Sequence, residues 1–135
     1  MTLTERYSNI PYVEKGRSRH GVDCYGLLHL VYLQELGIEL PLLTAKYRCA
    51  NKVSYRNVER DKGFFVKWEP VEKPDMFDVG LLEKGGYTHV VICVDKRGQW
   101  GMHIYEGGHV MVESMKSPAF KHTLRGWYTY AGNPE

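Results

Sequence analysis

The stretch Asp23-Cys-Tyr-Gly-Leu-Leu-His-Leu-Val-Tyr-Leu-Gln-Glu-Leu-Gly37 decides how the rest of the chain is read. Asp is a favoured N-cap, because its carboxylate accepts the backbone N–H groups that a helix start leaves unpaired. Glycine just past the end supplies the left-handed residue on which helices commonly stop. Between these caps Leu27, Leu28, Leu30, Val31, Leu33 and Leu36 occupy nearly every side of the helix. A helix that is apolar all round is a buried one, so this element is expected to run through the middle of the domain. Gly26 in its first turn costs about 1 kcal/mol of helix propensity relative to Ala. A residue that weak in a buried helix points to close approach by another segment.

Working outward, residues 12–22 are polar and glycine-punctuated and read as a loop, and residues 44–60 read as an exposed helix plus loop. From Gly63 onward the texture changes. Residues 64–68, 76–83, 87–95, 99–106, 109–115 and 124–131 are short β-branched or aromatic runs, separated by turn signals at 73–74, 85–86, 95–98 and 107–108. Consecutive strands with short links form an antiparallel meander. Helices first and strands after give an α+β class, with the buried helix packed on the sheet. The 135 residues hold no internal repeat and no linker, so residues 1–135 are expected to form a single domain.

Composition narrows the function classes. With 43% hydrophobic and 25% charged residues the chain is neither disordered nor fibrous. A net charge of +2 is too mild for a nucleic-acid binder, which usually carries a dense basic stripe. Ten Tyr and three Trp suit either a strand-rich core or a groove for a polar polymer. Cys24, Cys49 and Cys93 show no CxxC spacing, which argues against a disulfide scaffold and against a four-ligand zinc site. No run reaches the roughly 18 apolar residues of a membrane span, and residues 1–16 have no apolar signal core, so a cytosolic start is expected.

Cys24 falls in the first turn of the central helix, where unpaired N–H groups and the helix dipole favour an anion. A thiol there tends toward the nucleophilic thiolate, given a base. His89 is the candidate base. The period of two places His89, Val91 and Cys93 on one strand face and Val90, Ile92 and Val94 on the other. His103 and Tyr105 share a face of the next strand. A hairpin closed at Asp95-Lys96-Arg97 would set His89 directly across from His103, so that one imidazole orients the other. The triad reading sets the Cys24 thiol within about 4 Å of a His89 ring nitrogen and needs His89 on the sheet face turned toward the helix. His20, His29, His109 and His122 read as surface or locally hydrogen-bonded residues.

Ile10-Pro-Tyr12, Gly16-Arg17 and Gly21-Val-Asp-Cys-Tyr-Gly-Leu27 together resemble the nucleophile segment of the NlpC-type peptidases, papain-like cysteine hydrolases of bacterial cell-wall peptides. Cys24, His89 and His103 follow in the order of that family's catalytic residues, and residues 74–82 resemble the strand that precedes its histidine, with Asp78 as the acid. The likeness covers about residues 8–40 and 74–106. It departs at Tyr25, at the Thr-His-Val-Val-Ile form of the histidine segment, and at residues 44–62, which have no counterpart. The resemblance implies a papain-like fold and hydrolysis of the γ-D-glutamyl–diamino acid amide of peptidoglycan stem peptides, with no metal or organic cofactor. It implies a Cys24–His89–His103 triad, with Tyr12, Asp23 and Arg17 as candidates for oxyanion stabilisation or substrate positioning. Arg17 and Arg19 on the pre-cysteine loop read first as solvated loop residues, with a substrate carboxylate as the alternative partner. The form of the segment is most similar to short versions in bacteriophage tails, which implies a virion location and tail-tip partners. A tail-tip subunit without turnover and an acyl transferase on the same scaffold are the rival readings.

Overall fold

The computed structural model describes residues 2–40, 68–84 and 87–131. Cys49 and the helix expected over 44–60 lie outside the described residues. A short helix α1 (Leu3–Tyr7), opened by a Thr2/Glu5 capping box, leads into a two-stranded ribbon of β1 (Arg17–Ser18) and β2 (Gly21–Val22). The ribbon falls within the stretch read as loop. Its two strands have two residues each, too short to show a period in sequence.

The central helix α2 runs from Cys24 to Val31 with every residue buried, as its all-round apolar pattern requires. It continues as a π-helical turn over Tyr32–Leu36 and stops on Gly37, at φ 68° in the left-handed region. Leu33 and Leu36, counted above with the buried residues, are 43% and 40% exposed. The wider π turn rotates them away from the stripe that α2 continues. The same turn presents Glu35 and Gln34 to α1: Arg6 forms a two-pronged pair with Glu35, and the Tyr7 hydroxyl donates to Glu35 at 2.8 Å.

Six strands make one antiparallel sheet: β3 (Trp68–Val71), β4 (Val79–Lys84), β5 (Tyr87–Cys93), β6 (Trp100–His103), β7 (Met111–Ser114) and β8 (Leu124–Tyr130). Their spatial order is β3-β8-β4-β5-β6-β7. The meander expectation therefore holds for β4 through β7 and fails for β8, which returns to lie between β3 and β4. A short helix α3 (Pro118–Lys121), capped by Ser117, carries the chain back across the sheet and buries Phe120. Ahead of β4, Asp78 closes a turn by accepting from Asp75 N–H. Phe77 stands there at φ 72°, its carbonyl taking the Tyr32 hydroxyl at 2.5 Å and its N–H bonded to the Cys93 carbonyl.

Both sheet faces are covered. Leu27, Leu28, Leu30 and Val31 of α2 pack with Val79, Leu81, Val90, Ile92, Met102 and Ile104. The opposite face holds a smaller cluster, Leu82, Val91, Cys93, Phe120 and Trp127. Both sides of β5 are therefore apolar, which makes it a central strand.

Gly26 meets the segment its presence foretold. A Cβ built on it would lie 1.9 Å from the Gly16 carbonyl oxygen, a backbone atom that cannot swing aside. Gly26→Ala should therefore destabilise the fold by about 2 kcal/mol or more through overpacking, despite alanine's better helix propensity. Thermal melts of the variant check this; an unchanged or raised Tm would refute the close approach.

Candidate active site

Asp23 organises the start of α2. Its side chain is fully buried, with Oδ1 accepting from Gly26 N–H at 2.7 Å and from Arg17 Nη1 at 2.8 Å, and Oδ2 accepting from Lys15 N–H at 2.9 Å. Arg17 also donates to the Gly16 carbonyl and lies over the Tyr25 ring, 5.3 Å from its centroid. These contacts engage Asp23 and Arg17 with one another and with the pre-cysteine backbone. The carboxylate and its guanidinium neutralise one another inside the fold and pin the pre-cysteine loop to the helix. Arg19 donates to Gln34 Oε1 and to the Arg6 carbonyl and lies over Tyr7.

Cys24, the first residue of α2, is 4% exposed. The chain leading to it is stitched to the β6–β7 connection. Val110 N–H donates to the Ile10 carbonyl, Tyr12 N–H donates to the Gly108 carbonyl, and Val22 N–H donates to the Pro11 carbonyl. Because β5 begins where β6 ends, this stitching brings Cys24 to the end of the sheet that carries His89 and His103. Tyr12 is half-buried there, with its hydroxyl oxygen shielded from solvent.

The two histidines meet, but in a different register from the one expected. The β5–β6 pairs are Ile92 with Met102 and Cys93 with Gly101. Continued along the strands, this register puts His103 across from Val91 and Tyr105 across from His89. The loop is longer than a turn closed at Asp95–Arg97: Asp95 Oδ1 accepts from Gln99 N–H, and Gly98 takes φ 69°. That slips the register by two residues, and an even slip preserves which face each side chain occupies. The imidazoles are therefore diagonal neighbours, with His89 Nε2 3.1 Å from His103 Nδ1 and the rings at 84°.

His89 pairs with Leu82 across β4 and so shares the face of Val91 and Phe120, the one turned away from the body of α2. The expectation that His89 looks toward the helix across the sheet is corrected accordingly. The sheet-face condition stated for the triad is therefore not met, and a Cys24–His89 contact has to run round the start of β5 instead of across the sheet face.

Sequence reasoning missed two members of the cluster. His103 is fully buried, and its Nε2 lies 2.7 Å from Glu113 Oε1, a carboxylate on β7 that remains one-third exposed. Glu113 is diagonal to His103 across the β6–β7 ladder, which pairs Gly101 with Glu113 and His103 with Met111. Tyr105 stacks parallel on His89 at 5.4 Å between centroids and meets His103 edge-on at 4.6 Å. The alternation that groups His103 with Tyr105 was visible in sequence; the partner strand of Glu113 was not.

Burial pushes His89 down to about 3, with the neighbouring His103 adding to the shift. Burial also lowers His103, opposed by the hydrogen bond and charge of Glu113. Both rings are thus neutral near pH 7, the form a general base requires. His29, read from sequence as a surface or locally bonded residue, is buried on α2 and also lowered by desolvation. Cys93 behaves oppositely: burial raises its thiol to about 11, and Sγ donates to the Asp95 carbonyl at 2.9 Å.

The NlpC/P60 family model matches residues 9–128. The chain belongs to the NlpC/P60 family. No curated protein matches the sequence significantly. Among solved structures, an NLP/P60 family protein similar to a lipoprotein, from Staphylococcus aureus subsp. aureus Mu50, is 22% identical with a TM-score of 0.67 over 96% of this chain and 39% of its own. A family protein from Bacillus cereus ATCC 10987 is 18% identical with a TM-score of 0.68, over 95% of this chain and 38% of its own. The NlpC/p60 domain of the peptidoglycan hydrolase SagA is 21% identical with a TM-score of 0.58, over 93% of this chain and 91% of its own. The chain thus spans less than half the length of the Staphylococcus and Bacillus proteins. These likenesses establish the family's α+β fold for this chain.

The depressed histidines make stability pH-dependent. Between pH 6.5 and about 3 the unfolded chain binds protons that folded His89 does not. The stabilisation is complete above pH 6.5 and is lost as pH falls. At pH 5 the loss from one such group is about 2 kcal/mol. Tm should therefore drop between pH 7.5 and pH 5, and equal melting temperatures would refute neutral burial. Brief iodoacetamide treatment at pH 8 should leave Cys93 unmodified while Cys24 is labelled, as peptide mass mapping would show; equal labelling of the two would argue against an activated helix-start thiol.

Proposed function

We propose that this chain is a cysteine peptidase of bacterial cell walls, cutting the γ-D-glutamyl–diamino acid amide of peptidoglycan stem peptides. The observation that carries the reading is the pair of neutral imidazoles, fully buried at His103 and partly buried at His89, held at 3.1 Å at the sheet end to which the chain before α2 is stitched. Family membership and the peptidoglycan hydrolase among its structural neighbours support the substrate class.

In this mechanism Cys24 reaches His89 round the start of β5, not across the sheet face, and gives it its proton as Sγ attacks the amide carbon. The backbone N–H of Cys24 and the Tyr12 hydroxyl stabilise the oxyanion. His89 returns the proton to the departing amine, leaving a thioester that water then hydrolyses, with His89 again as the base. His103 orients His89 throughout. The similarity of residues 10–27 to phage-tail versions favours a protein made in the host cytoplasm and carried in the tail, beside tail-tip proteins, to act on the host wall.

Purified protein incubated with muropeptides of several wall types should release the cleaved stem peptide, detected by mass spectrometry. Cys24→Ala and His89→Ala should each lose about 10³-fold or more, because such residues act as a unit. His103→Ala should retain measurable hydrolysis. Absence of cleavage on every wall type would favour a tail-tip subunit without turnover, and amide products formed only with an added amine would favour the transferase.

A further inference from the structure

Glu113 holds the exposed end of a hydrogen-bonded chain whose inner end is His89. An ionised carboxylate has no proton to give, so His103 Nε2, 2.7 Å from Glu113 Oε1, must be the N–H donor. A neutral imidazole has one N–H, and His103 Nδ1 is therefore a lone pair. That lone pair lies 3.1 Å from His89 Nε2, which must in turn carry the N–H. By the same count, His89 Nδ1 is left as the basic atom. Opposite tautomers would set two lone pairs or two protons face to face at one of the two contacts.

We propose that Glu113 is a positioning residue, the terminal anion that fixes the tautomers of His103 and His89 so that His89 Nδ1 alone faces the reaction as a base. This deepens the cysteine-peptidase reading and rests on it for its catalytic consequence. When His89 takes a proton it becomes an imidazolium whose Nε2–H already points at the His103 lone pair, with the carboxylate one ring further on. The protein reorganises little as charge develops, which is where preorganised dipoles act most strongly. The surroundings serve the same end. Phe120 closes on His103 at 4.8 Å and the Tyr105 ring packs against both imidazoles, so these contacts are ring against ring.

The experiment compares wild-type protein with Glu113→Gln by long-range nitrogen-15 NMR of the imidazoles at pH 7.5, alongside muropeptide kinetics. Wild type should show His89 and His103 both protonated at Nε2. In Glu113→Gln the side-chain amide can donate or accept, so His103 should shift to mixed tautomers. At the same time kcat should fall by roughly 10²-fold, the low end of what general base catalysis supplies, with KM within about twofold. Wild type showing His103 protonated at Nδ1 overturns the proposal, and this needs no variant to fold. A Glu113→Gln protein that keeps wild-type tautomers overturns it too, even if its activity falls. If wild-type protein cleaves no muropeptide, the peptidase reading fails while the tautomer measurement still decides the role of Glu113.

Discussion

The carboxylate of Asp23 lies at the start of α2 without solvent contact, taking two backbone N–H groups and the Arg17 guanidinium. A buried charge of this kind is tolerated only when fully paired, because removing one partner leaves several kcal/mol of uncompensated desolvation. The pairing therefore obliges residues 15–17 to fold back on the helix start, and Gly26 supplies the room by having no side chain against the Gly16 carbonyl. The consequence runs outward from there. The β1–β2 ribbon, the bridge from Val22 to Tyr12, and the backbone bonds from Tyr12 and Ile10 to residues 108 and 110 all follow from where this loop is held. Cys24, next to Asp23, is thereby placed at one end of the sheet.

That sheet works as a two-sided partition. α2 fills one side with leucines, whereas α3 and β8 enclose a smaller apolar cluster on the other. The imidazoles belong to the second side, so they are dried by Phe120 and Tyr105 and not by the central helix. Burial keeps them neutral, and among the described residues their anionic support enters from the edge strand β7 through Glu113. A hydrogen-bonded chain of this form needs both conditions. Low dielectric strengthens each hydrogen bond, and partners at His89 Nε2 and at both nitrogens of His103 avoid the penalty that low dielectric imposes on a lone polar atom.

Much of this was legible along the chain. The buried helix over Cys24–Val31, its caps, the close approach at Gly26, the strand-rich second half and the shared face of His103 and Tyr105 all follow from local periodicity and residue chemistry. The His89–His103 contact was legible as a parity and not as a register. Parity depends only on the alternation of side chains, which sequence displays directly. Register depends on the loop, and the Asp95 hydrogen bond that lengthened it is formed only once the hairpin closes. The exposure of Leu33 and Leu36 was hidden for a similar reason, because a π turn is selected by contacts such as Arg6 with Glu35, twenty-nine residues apart.

By itself the sequence determined the α+β class, the order of Cys24 and the two imidazoles, and the likeness to the NlpC-type family, because these rest on short-range pattern. Tertiary structure alone decided that β8 inserts between β3 and β4, that Asp23 and Arg17 pair inside the fold, that His89 stands on the side away from the helix, and that Glu113 completes the hydrogen-bonded chain. Each of those outcomes joins residues distant in sequence. The free energy that selects them comes from desolvation and from pairing buried charges, which no local window contains.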